Sequence, residues 1–240
     1  MIVIFDMRKI VFFIFLVSQF LNSVAFCQLA GTNQSFLEKY HEQLPYFQEL
    51  ITGGQYAEAS RLIQGDPYRY SRQFEEGSLK INGVYYPGVP LLYDVFRDQV
   101  VTFHPIFNQK ILIKPEKIES FSLANGERYQ YVPGNSSYLH QGNGIYKLLT
   151  YGEVLALVKH YKTTKELREL SRFDQEYVEK TDYFIYRNDT FYGISRAKDA
   201  YLALEVEPKV IKKKVKEAGA NFRQNPEKFL QVLIQLTQAE

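Results

Sequence analysis

Between Ser78 and Ile194 the chain is interrupted every few residues by tight polar turns, and this cadence limits the fold more than any other feature. Asn82-Gly83, Arg97-Asp98, Asn125-Gly126 and Asn188-Asp189 each separate two short runs in which apolar and polar residues alternate. Asn, Asp and Gly tolerate the positive φ that short hairpin turns demand, and alternation is the signature of a strand buried on one face. Strands are expected over 78–81, 84–86, 89–96, 99–104, 110–113, 117–123, 127–132, 145–151, 153–161, 183–187 and 190–194. The expected class is mainly β (α+β): an antiparallel meander curled into a barrel or roll.

On either side the period lengthens towards that of a helix. Phe36, Leu37, Tyr40, Leu44, Phe47 and Leu50 make one apolar stripe, interrupted by Pro45, and Tyr56 to Ile63 are expected to add two helical turns. Near the C-terminus Ser195 is the expected cap of a helix over 196–205, and Pro208 opens a second that Gly219 ends. Asn225-Pro226-Glu227 starts a third, with a capping amide, a preset φ and an acid in the first turn. No repeat or long linker intervenes, so residues 28–240 read as one globular domain. Its parts are a helical or loop entry over 28–77, antiparallel β over 78–194 and helices over 195–240.

Residues 1–27 read as a secretory signal. Arg8 and Lys9 precede eight uninterrupted apolar residues, Ile10 to Val17, far fewer than the roughly 20 that cross a bilayer. Cleavage after Cys27 leaves Gln28 as the new N-terminus and a periplasmic or secreted protein. A second reading stands beside it, because Val24-Ala25-Phe26-Cys27 has the outline of a lipobox, which anchors the chain through Cys27. Bulky Phe26 sits where that signal wants a small residue. Cys27 is the one cysteine, so no intramolecular disulfide forms and the core alone must hold the domain. No second long apolar run follows, so no transmembrane span is expected in the mature chain. A net charge of +2 with both signs mixed excludes the strong basic footprint of a nucleic-acid binder.

Chemical motifs are sparse. His41, His104, His140 and His160 match no compact zinc spacing, and no phosphate-binding glycine loop occurs, so neither metal nor cofactor is expected. Ser195 lacks the second glycine of a nucleophile elbow. Asp94 is the one candidate catalytic group. On the strand over 89–96 it shares a face with Leu92 and Phe96, where it is either a carboxylate of raised pKa in a wet cavity or a structural group paired with Arg97, Arg69 or Arg72. The chain holds 19 Tyr and 18 Phe with no Trp. Tyr85, Tyr93, Tyr129 and Tyr131 are the candidate binding residues, their rings suited to a glycan or peptide, against the plainer reading that they fill a β core. Lys212, Lys213, Lys214 and Lys216 make a basic run that is either a solvated face or a contact for anionic headgroups.

Gly54-Gln55-Tyr56, Gly65-Asp66-Pro67-Tyr68, Gly77-Ser78-Leu79, Asn82-Gly83-Val84-Tyr85-Tyr86 and Leu91-Leu92-Tyr93-Asp94-Val95 follow one another in an order that resembles a group of exported proteins of unknown function common in the Bacteroidota. Ser120-Phe121-Ser122-Leu123 and Tyr146 to Gly152 match its later parts, so the likeness spans about Gly53 to Gly152. The resemblance implies an envelope location and supplies no activity. The expected function is a non-enzymatic binding or structural accessory module, its partner an envelope protein or glycan. The alternative is a hydrolase acting on an envelope polymer, with Asp94 as its essential carboxylate.

Overall fold

The computed structural model describes residues 48–51, 53–104, 107–168 and 172–238. The leader, Cys27, His41 and the stripe from Phe36 to Phe47 lie outside them. The chain divides into two compact units, Met1–Glu49 and Leu50–Glu240, and every strand and α-helix named below belongs to the second.

Eleven strands follow one another: β1 (Ile63–Gln64), β2 (Glu75–Ile81), β3 (Val84–Asp94), β4 (Gln99–His104), β5 (Gln109–Leu112), β6 (Ile118–Ser122), β7 (Arg128–Tyr131), β8 (Ile145–Leu148), β9 (Leu155–Glu166), β10 (Gln175–Arg187) and β11 (Thr190–Ile194). They form one sheet in the order β1-β10-β9-β8-β7-β6-β2-β3-β4-β5, with β11 also on β10. Two meanders, β2 to β5 and β6 to β11, are thus joined where β2 lies against β6. The sheet is curled but not closed, a roll rather than a barrel, and mixed because β1 runs parallel to β10. Strand accounts for 41% and helix for 19%, which makes the class mainly β.

The turns do what their residues require. Asn82 and Gly83 have φ of 48° and 79°, and Asn188 and Asp189 have 50° and 57°, the left-handed values of a two-residue hairpin. Three helices follow the sheet: α1 (Ala197–Ala203), α2 (Pro208–Glu217) and α3 (Pro226–Gln238). Gly219, φ 64°, ends α2, and the Asn225 side chain accepts the Lys228 N–H at 2.9 Å to cap α3. The α1 cap differs from the expectation. Asp199, not Ser195, supplies it, its carboxylate accepting the Ser195 and Arg196 N–H groups at 3.1 and 2.9 Å.

Other departures have tertiary causes. Tyr56 to Ile63 form no helix, because the Tyr56 N–H bonds the Lys110 carbonyl at 2.9 Å and its ring is buried against Tyr68, Leu92 and Val101. Segments 84–86 and 89–96 are one strand that continues through Pro87 and Gly88, beside a register shift at Gly77/Ser78. The first half of β10, rich in Glu, Lys and Asp, is a strand because it pairs along β9 without a break from Gln175↔Glu166 to Tyr186↔Leu155. Cross-strand partners override weak local propensity there.

The register separates two faces. Tyr86, Leu79, Phe121, Tyr129, Lys147, Val158 and Tyr183 stand opposite one another in one row across β3, β2, β6, β7, β8, β9 and β10. Leu79, Phe121, Tyr129 and Val158 are buried, and Phe121 stacks on Tyr129 with centroids 4.9 Å apart. The helices cover the far end of this face: Glu227 of α3 pairs with Lys147, and Phe222 meets the Tyr183 ring. Leu230, Leu233 and Ile234 of α3, with Ile211 and Val215 of α2, complete that core.

Candidate functional site

Asp94 closes β3 and is fully buried. Its Oδ1 accepts the Phe96 and Arg97 N–H groups at 2.9 Å each, its Oδ2 accepts the Tyr56 hydroxyl at 2.7 Å, and Arg97 Nη1 lies 3.8 Å away. Burial raises its pKa, and these hydrogen bonds and Arg97 oppose the rise. Of the three arginines weighed from the sequence, Arg97 is the partner. The carboxylate shapes the β3–β4 turn and fastens Tyr56 to it, with no face open to a substrate.

Asp98, at the end of the same turn, holds the two meanders together. It accepts the Tyr93 hydroxyl at 2.6 Å and the Asn143 N–H at 2.6 Å, and Lys159 Nζ from β9 lies at 2.7 Å with both side chains buried. Burial lowers the Lys159 pKa, and Asp98 opposes this by favouring the ammonium. Gly142 makes the approach possible: its φ is +56°, and a Cβ there would come within 2.5 Å of Asp98 Cβ.

A third polar cluster lies at the edge of the buried row. Glu127 accepts from Lys147 at 2.7 Å and from the Tyr129 hydroxyl at 2.6 Å, with Arg69 at 3.5 Å. Lys147 also reaches Glu227 at 2.8 Å, and Arg69 also bonds Glu179. Burial would raise the Glu127 pKa, but the Lys147, Tyr129 and Tyr70 hydrogen bonds and the Arg69 charge bring it down to about 2. His160, buried beside them, is held down to about 3 by burial and then by the Arg69 charge. These groups bind one another and stabilise the fold.

The open face is the other one. Tyr85, Lys80, Ser120 and Gln130 stand opposite one another across β3, β2, β6 and β7, with Ser78, Ser122 and Arg128 in the adjacent row. This row ends at Tyr146, which is buried and whose hydroxyl is bonded by Asn135 at 3.0 Å. Before that cover begins, a groove of about 420 Å³ runs over the strands. Its floor carries the Ser78 and Ser122 hydroxyls, 2.7 Å apart, with Ser120 and Gln130 beside them. Tyr85 on β3 is 63% exposed and Tyr151, which follows β8, is 62% exposed, so a bare ring stands on each side. Arg128 bonds the Tyr151 hydroxyl at 2.5 Å and lies over its ring. Lys80 pairs with Glu119 at 2.7 Å. The lining contains two cations and no carboxylate.

No protein-family model, curated protein or solved structure matches this chain. Its chemistry is therefore read from the groove. The four tyrosines singled out in the sequence do not form one face: Tyr93 and Tyr129 are core residues at 2% and 1% exposure, while Tyr85 and Tyr131 are on the surface. Only Tyr85 of these offers a ring to the groove. Arg128, Lys80 and the serines occupy polar positions in alternating runs, a pattern that does not by itself mark a site, and Tyr151 follows β8 outside such a run. Among the described residues no group of three or more His, Cys, Asp or Glu is placed to hold a metal ion. No described helix is long and apolar enough to cross a membrane.

Proposed function

We propose that this chain is an exported, non-enzymatic binding module of the bacterial envelope, and that it takes an acidic glycan in the groove over β2, β3, β6 and β7. The single observation that carries the reading is the pair of exposed rings, Tyr85 and Tyr151, beside a floor of hydroxyl and amide groups. A sugar ring presents apolar C–H faces and polar edges, and this surface matches both. Arg128 adds the preference for acid, because its guanidinium meets a hydroxyl and not a carboxylate.

Export and the periplasmic or secreted location rest on the leader over 1–27, and the likeness to exported Bacteroidota proteins supports the same compartment. Attachment through Cys27 is the variant of this reading in which the module is tethered. Intact-mass measurement decides between them: Gln28 at the N-terminus means a free protein, and an acyl adduct on Cys27 a tethered one. Titration calorimetry with uronic-acid oligosaccharides and with neutral glucose oligosaccharides tests the binding reading. Binding of the acidic series that Tyr151→Ala weakens about tenfold supports it, and heat from neither series overturns it.

A further inference from the structure

The three helices enclose a second groove, about 810 Å³ in volume and remote in character from the first. Its floor is apolar, with Tyr201 of α1, Val215 of α2, Phe229 of α3 and Phe222 from the loop between the last two. Its rim is cationic: Arg196, Lys198, Lys212, Lys216 and Arg223 line it, and no Asp or Glu does. Arg196 has Asp199 at 3.4 Å, whereas the other four have no ion pair among the described residues. Lys212 and Lys216, four apart, point from one side of α2 while Ile211 and Val215 are buried. Like charges around one concavity repel, and among the described residues only Arg196 has an acidic partner to relieve it.

The same helices also expose apolar side chains outside the groove. Leu202, four residues beyond Lys198 on α1, is 66% exposed, and Val210 in the first turn of α2 is 59% exposed. A cationic rim over an apolar floor matches an anionic amphiphile. The walls are helices whose backbone groups are largely satisfied internally. An extended acidic peptide laid there would gain charge contacts but leave its own N–H and C=O groups unpaired over the rings. An acyl chain has no such groups to satisfy.

We propose that this groove docks an anionic phospholipid at a bilayer surface, its phosphate among Lys198, Lys212, Lys216 and Arg223 and the head of one acyl chain against Tyr201, Phe222 and Phe229. The inference does not depend on the glycan groove, which lies on other elements. Cosedimentation of the purified protein with vesicles tests it, using phosphatidylcholine alone and phosphatidylcholine mixed with phosphatidylglycerol. The protein should pellet with the mixed vesicles only, and high salt should release it. Lys212→Gln with Lys216→Gln should weaken the partition about tenfold or more. Lys209→Gln with Lys213→Gln removes the same charge outside the groove and should change it by less than about threefold. Equal loss in the two pairs, or equal pelleting with neutral vesicles, overturns the proposal. Displacement from the mixed vesicles by polyglutamate at matched charge also overturns it, by assigning the groove to an acidic protein segment.

Discussion

Strand β7 alternates between two surfaces that use the same residue types to opposite ends. On one side Tyr129 is buried, its hydroxyl spent on Glu127, and Glu127 is spent on Lys147 and Arg69. On the other, Arg128 and Gln130 face a groove flanked by bare tyrosine rings. Charge on the buried side is compensated residue by residue, whereas charge on the open side is left in part uncompensated. A tyrosine or an arginine thus says little by its identity. Which row it occupies decides whether it stabilises the fold or offers itself to a ligand. If that division is right, substitutions in the buried rows should change stability and leave binding intact in whatever folds, and substitutions in the open row should do the reverse.

The largest effect should come from the buried Asp98–Lys159 pair. Lys159→Met strands a carboxylate in the core, and removing one partner of a buried pair costs about 3–5 kcal/mol. Urea unfolding should show that loss, and Asp98→Asn added to it should recover a large part, since the orphaned charge is gone. A loss below about 1 kcal/mol for the single variant would mean that the pair does not hold the β3–β4 turn against β9.

Next in size is the acid limb of stability. The folded-state pKa of Glu127 is about 2, below its ordinary 4.5. A depressed carboxyl contributes stability that is complete above about pH 4.5 and lost as pH falls towards 2. His160, held to about 3 from 6.5, has the same sign, since the fold prefers it neutral and acid must charge it. Stability should therefore decline as pH falls below 6.5 and more steeply below 4.5. Glu127→Gln should flatten the lower part by roughly 2 kcal/mol, a figure reduced for the solvent that reaches this group. His160→Gln should flatten the upper part. An unchanged pH profile in both variants would break the claim that this cluster is compensated internally.

Much of the open row was legible, but not as a row. Ser78, Lys80, Ser120, Ser122, Arg128 and Gln130 all sit at the polar positions of alternating strands, and the hairpin turns at Asn82-Gly83 and Asn125-Gly126 follow from the residues alone. What the alternation does not contain is the pairing of β2 with β6, which joins the two meanders and brings Lys80 opposite Ser120. That pairing is non-local, with Leu79 set opposite Phe121 by burial of the other face. Tyr93 and Tyr129 were open to both readings for a related reason. A strand tyrosine has an equal claim on core and surface until the partner strands and the hydroxyl's acceptor are known, and here Asp98 and Glu127 are those acceptors. Asp94 shows the limit differently, because an acid flanked by apolar residues reads alike whether it awaits a substrate or caps a turn.

Smaller effects belong to the groove. Tyr151→Ala and Tyr85→Ala each remove an exposed ring that does little for the core, so stability should move by less than about 0.5 kcal/mol. Affinity for an acidic oligosaccharide should fall about tenfold for either. Calorimetry and thermal melting on the same samples separate the two quantities. A melting loss larger than the binding loss would place these rings with the core instead.

Ser120→Ala should be the smallest change and the sharpest test of where the ligand lies. Ser120 stands between Lys80 and Gln130 in the open row, half-buried on the floor of the groove. Deleting a hydroxyl that bonds only a ligand removes about 0.5–1.5 kcal/mol, a few-fold in affinity, with no effect on folding. The Ser78 and Ser122 hydroxyls bond each other across 2.7 Å, so a single alanine there also leaves a partner unsatisfied and moves stability along with binding. If Ser120→Ala leaves affinity unchanged while Tyr151→Ala lowers it, the sugar lies along the Tyr151 and Arg128 side and does not reach the middle of the floor. Equal, graded losses across Tyr85, Ser120 and Tyr151 would instead mean one extended ligand that spans the strands from β3 to beyond β8.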